Sequence, residues 1–321
     1  MPCSIESISE KVYHAKAMMQ KIKLTIAKIF FYLLGYTPLP ILHFIGAGVG
    51  LLLYYLPIRL CYYGKRNIQL CFPELSLSER KKLFRKAMIE TGKGFLESPT
   101  FFVRSRKHLN NLVKKVDGVD ELAATMSEEN GVLGLLSHTG GYYLINPYFG
   151  NRFENRCCSM YKPQRGLIEK LTQKLRKRYG VEFFPANQKG VVSTLRALHS
   201  KKTVALLCDH NALENSGISA PFFNINVPSM TLATRLANKS KAPAFFIFMQ
   251  RLSWGRGYHL HVWRVPASIH SDDLLTGVTT MNAMVEKVVR FCPEQHEWLY
   301  RRFWDRPKDE PGLYKPKRNS R

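Results

Sequence analysis

The chain predicts an α/β fold, a mixed sheet covered by helices, with an N-terminal membrane helix or hairpin. Three observations point there. After Val113, short apolar runs alternate with stretches of helical periodicity, the pattern of strands joined by crossover helices. One run, Gly131-Val132-Leu133-Gly134-Leu135-Leu136-Ser137, is apolar almost throughout, as a strand buried on both faces must be. It ends on His138-Thr139-Gly140-Gly141, and open α/β sheets place their chemistry at strand ends.

At the N-terminus, no Asp, Glu, Lys or Arg occurs from Ile29 to Ile58. A bilayer is crossed by about 20 apolar residues, so this run is long enough. Pro38 and Pro40 divide it. The second piece, Ile41 to Ile58 with Gly46, Gly48 and Gly50, is the better membrane helix; the first, Leu24 to Tyr36, follows Lys16, Lys21, Lys23 and Lys28 and reads as amphipathic. A buried hairpin of a soluble domain is the alternative. No small-residue cleavage site follows, so the segment is not a cleavable signal. Arg59, Lys65 and Arg66 beyond it match the lysines before it and leave the orientation open.

Ser76 or Ser78 caps a helix running towards Phe95. From Lys65 to Lys115, 13 basic residues face 4 acidic ones, which predicts a surface resting on anionic headgroups beside the membrane segment. Strands are then expected at Val132–Leu136, Phe183–Pro185, Val204–Cys208, Ala244–Met249 and Tyr258–Val265. Helices are expected at Leu167–Tyr179, Gly190–His199, Met230–Asn238 and Asp273–Phe291. The resulting organisation is a membrane-anchoring segment over 1–63, an α/β domain over 64–306, and a loose, basic, Pro-rich tail over 307–321.

Composition narrows the function. Apolar residues make up 45% of 321, enough for a core. Lys and Arg outnumber Asp and Glu by 48 to 24, so the partner is anionic. No nucleic-acid motif accounts for the excess, and the membrane segment does. Seven cysteines include the pair Cys157-Cys158 but no C-x-x-C, which argues against a zinc ribbon or disulfide framework and for a reducing, cytosol-facing setting. P-loop, G-x-S-x-G and dinucleotide fingerprints are absent.

His138 at a strand end, beside two glycines that permit tight turns and close approach, is the candidate base. An acid five positions on would complete the pair, but that position is Tyr143. A phenol is neutral near pH 7 and stabilises an imidazolium poorly. Asp209, just after an apolar strand, is the other acid that could reach His138.

These blocks carry a resemblance. Ser137-His138-Thr139-Gly140-Gly141-Tyr142-Tyr143 resembles the H-x-x-x-x-[DE] block of bacterial lipid A late acyltransferases, which belong to the lysophospholipid-acyltransferase superfamily and have a glycerolipid-acyltransferase-like fold. Tyr161-Lys162-Pro163 and the following helix with Arg176 and Arg178 look like the family's arginine block. Leu207-Cys208-Asp209-His210-Asn211, then Pro221-Phe222-Phe223, look like its third, and Pro293 to Leu299 with Arg301-Arg302-Phe303 like its C-terminal signature.

The resemblance implies a membrane-bound O-acyltransferase of the bacterial inner membrane, its catalytic domain facing the cytoplasm. Fatty acyl would pass from acyl carrier protein or acyl-CoA to a hydroxyl of an anionic lipid such as a lipid A precursor, without metal or cofactor. His138 would be the base, with Tyr143 in the acid's place and Asp209 nearby. Gly140, Gly141, Arg176, Arg178, Phe222 and Phe223 would hold substrate. If Tyr143 merely fills the acid's place, a restored carboxylate there is expected to raise activity. The other reading is a catalytically impaired paralogue that binds lipid or a partner acyltransferase.

Overall fold

Residues 5–127, 131–163, 172–173, 175–212, 217–304 and 311–314 are described by the computed structural model. In chain order the strands are β1 (Val113–Asp117), β2 (Val132–Leu136), β3 (Cys157–Tyr161), β4 (Val181–Pro185), β5 (Thr203–Leu207), β6 (Gly217–Phe222), β7 (Ile225–Met230), β8 (Ala244–Arg251) and β9 (Tyr258–Arg264). The helices are α1 (Ile5–Tyr36), α2 (Leu39–Tyr55), α3 (Arg59–Cys71), α4 (Leu77–Glu97), α5 (Thr100–Val103), α6 (Arg106–Leu112), α7 (Val119–Ser127), α8 (Ile145–Arg152), α9 (Gln188–His199), α10 (Leu232–Ser240) and α11 (Leu274–Phe291).

One sheet has the order β1-β9-β8-β2-β5-β3-β4. β2 lies at its centre, parallel to β5 on one side and β8 on the other. Every residue of β2 is buried, which is why its sequence is apolar without alternation. β8 and β9 pair antiparallel, so the sheet is mixed, as expected. A separate hairpin, β6–β7, packs on α11 through Phe222, Phe223 and Val227. Two apolar clusters cover the two faces of the sheet. One gathers α3, α4, α10 and α11 around Leu133, Leu135, Phe246 and Phe248. The other gathers α7 and α8 around Val132, Phe245, Ile247 and Leu260.

Several expectations shift. β3 is not among the expected strands, and its two cysteines are buried strand residues. The helix expected from Met230 begins at Leu232, because Met230 closes β7 against Gly217. Of the helix expected over 167–179, residues 164–171 and 174 lie outside the described residues; Lys177–Tyr179 form a 3-10 turn. The boundary drawn after residue 63 falls inside α3. The tail is expected to be loose, yet Tyr314 is buried against Tyr63 and its hydroxyl reaches Asn67; the rest of 307–321, apart from 311–314, lies outside the described residues.

α4 begins with a full capping box: Ser76 Oγ accepts from Glu79 N, and Glu79 Oε2 accepts from Ser76 N. α2 crosses α4 with backbone nearly touching backbone. A Cβ on Gly50 would lie 2.1 Å from Met88 O, and one on Gly92 the same distance from Gly46 O. Gly48 faces open space. So α2, read as the better membrane helix, spends one face on α4. Among the described residues no single helix is long and apolar enough to cross a membrane. Met18–Tyr36 and Leu39–Tyr55 meet that test only as a pair, bent by 116° at Thr37-Pro38. Their outer faces carry exposed Ile26, Phe30, Leu33, Phe44, Leu52 and Tyr55.

Candidate active site

The register of the two central strands assembles the site. Leu136 of β2 pairs with Leu207 of β5. His138 and Asp209 each follow two residues later, so they emerge side by side at the C-terminal edge of the sheet. Asp209 Oδ2 accepts from the main-chain N of His138 at 2.8 Å, and Oδ1 accepts from its Nδ1 at 2.8 Å. This two-point contact fixes the ring and leaves Nε2 for a substrate. Burial favours the neutral imidazole, but the charge and hydrogen bond of Asp209, helped by Glu297, win and raise the pKa of His138. Burial likewise opposes the charge on Asp209, but His138 and neighbouring histidines hold its carboxyl well below the usual range.

The Pro293–Leu299 segment closes over this pair. Glu297 N donates to His138 O at 3.1 Å, and Gly140 N donates to Gln295 O at 3.0 Å. His296 Nδ1 lies 3.2 Å from Thr139 Oγ1; burial pushes His296 down to about 4, so it stays neutral. Glu297 Oε2 sits 3.0 Å from His210 Nε2. The His210 ring is stacked between His138 and Tyr300, at 4.0 and 3.8 Å. Donor atoms of His138, His210 and Glu297 fall within 4.8 Å of one another, the spacing of a metal site. Within it, His210 pairs with Glu297 and His138 with Asp209.

Tyr143 lies elsewhere. The contact that the motif's acid is expected to make belongs to Asp209. Tyr143 is half exposed and leans on Tyr142 and Phe102, with ring centroids 4.3 and 5.6 Å apart. Tyr142 packs edge-on to His138 at 5.0 Å, and Phe102 meets Phe31 of α1 at 6.0 Å. An unbroken file of rings therefore runs from His138 through Tyr142, Tyr143 and Phe102 to the apolar N-terminal helix. Burial, with a hydrogen bond to Tyr143, pushes the phenol of Tyr142 well above its usual range, so it stays neutral beside His138.

The other expected substrate contacts divide. Gly140 has φ +63, and a Cβ would lie 2.0 Å from Met249 O; a Cβ on Gly141 would lie 2.6 Å from the Tyr258 ring. Their close approach is to β8 and Tyr258, and Gly141 N donates to Met249 O at 2.8 Å. Both glycine amides are thus engaged by the protein rather than open to a ligand. Arg178 donates through Nη1 to Phe102 O and Val103 O, docking its turn on α5. Arg176 lies over the Tyr161 ring at 5.0 Å. Phe222 and Phe223 are buried core residues, Phe222 tilted against Phe303 and Phe223 edge-on to Phe72. They pack where an open acyl pocket is expected, although Phe222 also borders the cleft of Asp209 and Glu297.

Residues from distant segments complete the site; Gln295 and Arg302 belong to the C-terminal block, but no local pattern announces Arg251, Glu97 or His43. Arg251 at the end of β8 is buried, with Nε donating to Glu97 Oε2 at 2.8 Å and Nη1 to Glu90 Oε2 at 2.8 Å. Tyr258 and His43 of α2 also contact Glu97, each at 2.7 Å. Arg251 N donates to Gln295 Oε1 and Gln295 Nε2 to Arg251 O. The chain of contacts runs from α2 through Glu97, Arg251 and Gln295 to Gly140 in the histidine loop. Arg302 secures the other side, donating to Asn211 Oδ1, Pro228 O and Ser229 Oγ. Burial lowers it to about 10, which still leaves it a cation at neutral pH.

The chain is similar to one known family and to several of its named members. The family described as bacterial lipid A biosynthesis acyltransferase matches residues 13–305. The chain is 28% identical over 279 residues to the lipid A biosynthesis lauroyltransferase of Escherichia coli (strain K12), covering 86% of this chain and 90% of that protein. It is 27% identical over 290 residues to the lipid A biosynthesis palmitoleoyltransferase of the same organism, covering 86% and 89%. A lipid A biosynthesis acyltransferase of Haemophilus influenzae is 24% identical over 286 residues, covering 86% and 89%.

Proposed function

Because this acyltransferase belongs to the bacterial lipid A biosynthesis acyltransferase family, we propose that it moves a fatty acyl chain from a thioester to a hydroxyl of a lipid A precursor, with His138 as base. The observation that carries this reading is the two-point contact of Asp209 with His138. His138 Nε2 takes the proton of the acceptor hydroxyl as its oxygen attacks the thioester carbonyl carbon. The carbon–sulfur bond breaks, and the imidazolium returns the proton to the leaving thiolate. Asp209 holds the tautomer and balances the imidazolium charge. None of these steps needs a metal or cofactor.

The donor in this proposal is acyl carrier protein, with acyl-CoA as the second candidate. A net charge of +24 suits an acidic carrier, since complementary fields speed encounter. The same charge suits an anionic lipid surface at the bacterial inner membrane, with the active site on the cytoplasmic side. The bent pair α1–α2 lies in that interface, its exposed apolar face buried among acyl chains. The file of rings from α1 to His138 leads the lipid chains from the membrane to the base.

The test is acyl transfer by the purified protein in detergent, with acyl-loaded carrier protein or acyl-CoA and a lipid A precursor. Mass spectrometry should show the acceptor gaining one acyl group, faster with the carrier protein. A folded protein that leaves the acceptor unacylated with both donors would refute the reading.

A further inference from the structure

A second cluster of titratable side chains lies at the far edge of the sheet, away from His138. On β9, His259 and His261 are two residues apart and therefore share a face. β1 runs parallel beside β9, and Asp117 stands opposite His261 in the register. Asp117 Oδ2 is 2.7 Å from His259 Nε2 and 3.5 Å from His261 Nδ1. The two rings are 3.8 Å apart. One donor atom from each residue falls within 4.8 Å of the others.

Two details exceed a simple ion pair. His259 Nε2 is buried and, despite its short distance to Asp117, finds no properly directed hydrogen bond. A buried nitrogen without a partner is costly and calls for an explanation. His261 Nε2 lies 3.1 Å from Gln250 Oε1, an atom that only accepts, so Nε2 carries the hydrogen. That leaves the lone pair of Nδ1 facing Asp117. An outer ligand that fixes the tautomer in this way is the usual support of a metal-bound histidine. Phe248 stacks on the other side of the His261 ring at 4.6 Å and keeps it in place.

We propose that Asp117, His259 and His261 bind one borderline divalent transition-metal ion of the zinc class. Two imidazoles and one carboxylate are a donor set for such ions, whereas calcium and magnesium prefer oxygen alone. Asp117 is exposed, so water completes the coordination. The ion clips the edge strand β1, whose ladder to β9 is irregular between Val113 and Lys115, onto the sheet. The site plays no part in the transfer reaction and stands whether or not the acyl-transfer reading does.

The experiment is a titration of the untagged, chelator-treated full chain in detergent with Zn²⁺ by calorimetry, and with Co²⁺ by its visible absorption. One ion should bind per chain, and Zn²⁺ should raise the melting temperature. Gln250→Ala should weaken binding by about 10- to 100-fold, the range for lost outer support of a ligand. His259→Ala and the near-isosteric, exposed-site change Asp117→Asn should abolish saturable binding and the thermal shift. Asp117→Asn carries the test if His259→Ala fails to fold. His210→Ala should leave binding unchanged, which separates this cluster from the one beside His138. No saturable binding by the full chain, or one ion kept by Asp117→Asn and lost from His210→Ala, would overturn the proposal.

Discussion

Asp209 grips His138 twice, through the ring Nδ1 and the main-chain N, both at 2.8 Å. One carboxylate thus sets both the orientation of the base and the path of the loop that carries it. Asp209→Asn should keep the fold yet present the wrong partner to Nδ1. The same exchange in a serine-protease triad lowers turnover about 10⁴-fold. A loss of about 10² or more in kcat is expected here, with KM little changed. Steady-state kinetics on the folded variant would check it.

The same contact sets the pH dependence. Asp209 and Glu297 raise the pKa of His138 above 6.5, so the active neutral base appears only above that raised value. The acid limb of kcat/KM should therefore lie above pH 6.5, and Asp209→Asn should move it down. Stability has the opposite sign. The contribution of the His138 pair is full below 6.5 and fades as pH rises through the raised value. A limb below 6.5 in the parent protein would contradict the assignment.

Tyr143 reverses an expectation. A carboxylate restored at that position is expected from the motif to help, but Asp209 already occupies Nδ1. Tyr143→Glu would place a charge among Tyr142 and Phe102, on the file of rings leading to α1. Transfer should fall, whereas Tyr143→Phe keeps the ring on the path and removes only the hydrogen bond to Tyr142, so it should lose far less. Parallel assays of the two variants decide it.

Glu97 tests the buried support. Arg251 and His43 hold its pKa at about 2 against 4.5, overcoming burial, which pushes the other way. A depressed carboxyl contributes stability that is complete above about 4.5 and lost as pH falls through about 2. Glu97→Gln should cost about 3–5 kcal/mol at neutral pH, as removing one partner of a buried pair does, and flatten the stability curve in that acid window. Denaturant melts from pH 7 to pH 2 would read both.

The α2–α4 crossing makes a paired prediction. Gly50→Ala must force Met88 away and should cost about 1–3 kcal/mol, the range for overpacking. Gly48→Ala meets open space and should be neutral or slightly stabilising. Thermal melts of the two variants, on different faces of one helix, separate packing from helix propensity.

What the sequence could show follows from how local each signal is. β2 was legible because burial on both faces writes an unbroken apolar run, and α4 because its capping box is contiguous. His138 was legible for its place at a strand end. From sequence Asp209 is one candidate beside Tyr143, since only the in-register pairing of β2 with β5 brings it to Nδ1. Gly140 and Gly141 read as ligand contacts because a glycine shows only that something comes close, not what; here it is β8 and Tyr258. Glu97 and Arg251 lie far apart in the chain, and neither β3 nor the β6–β7 hairpin is long or alternating enough to stand out.

In the proposed mechanism His138 Nε2, held by Asp209, takes the proton of the acceptor hydroxyl. The most direct test is single-turnover acyl transfer to a lipid A precursor by the parent and by His138→Ala, both shown to be folded by their melts. The parent should acylate the acceptor, and His138→Ala should be slower by about 10² or more, the range for a lost general base. Equal rates in the two folded proteins would contradict the account.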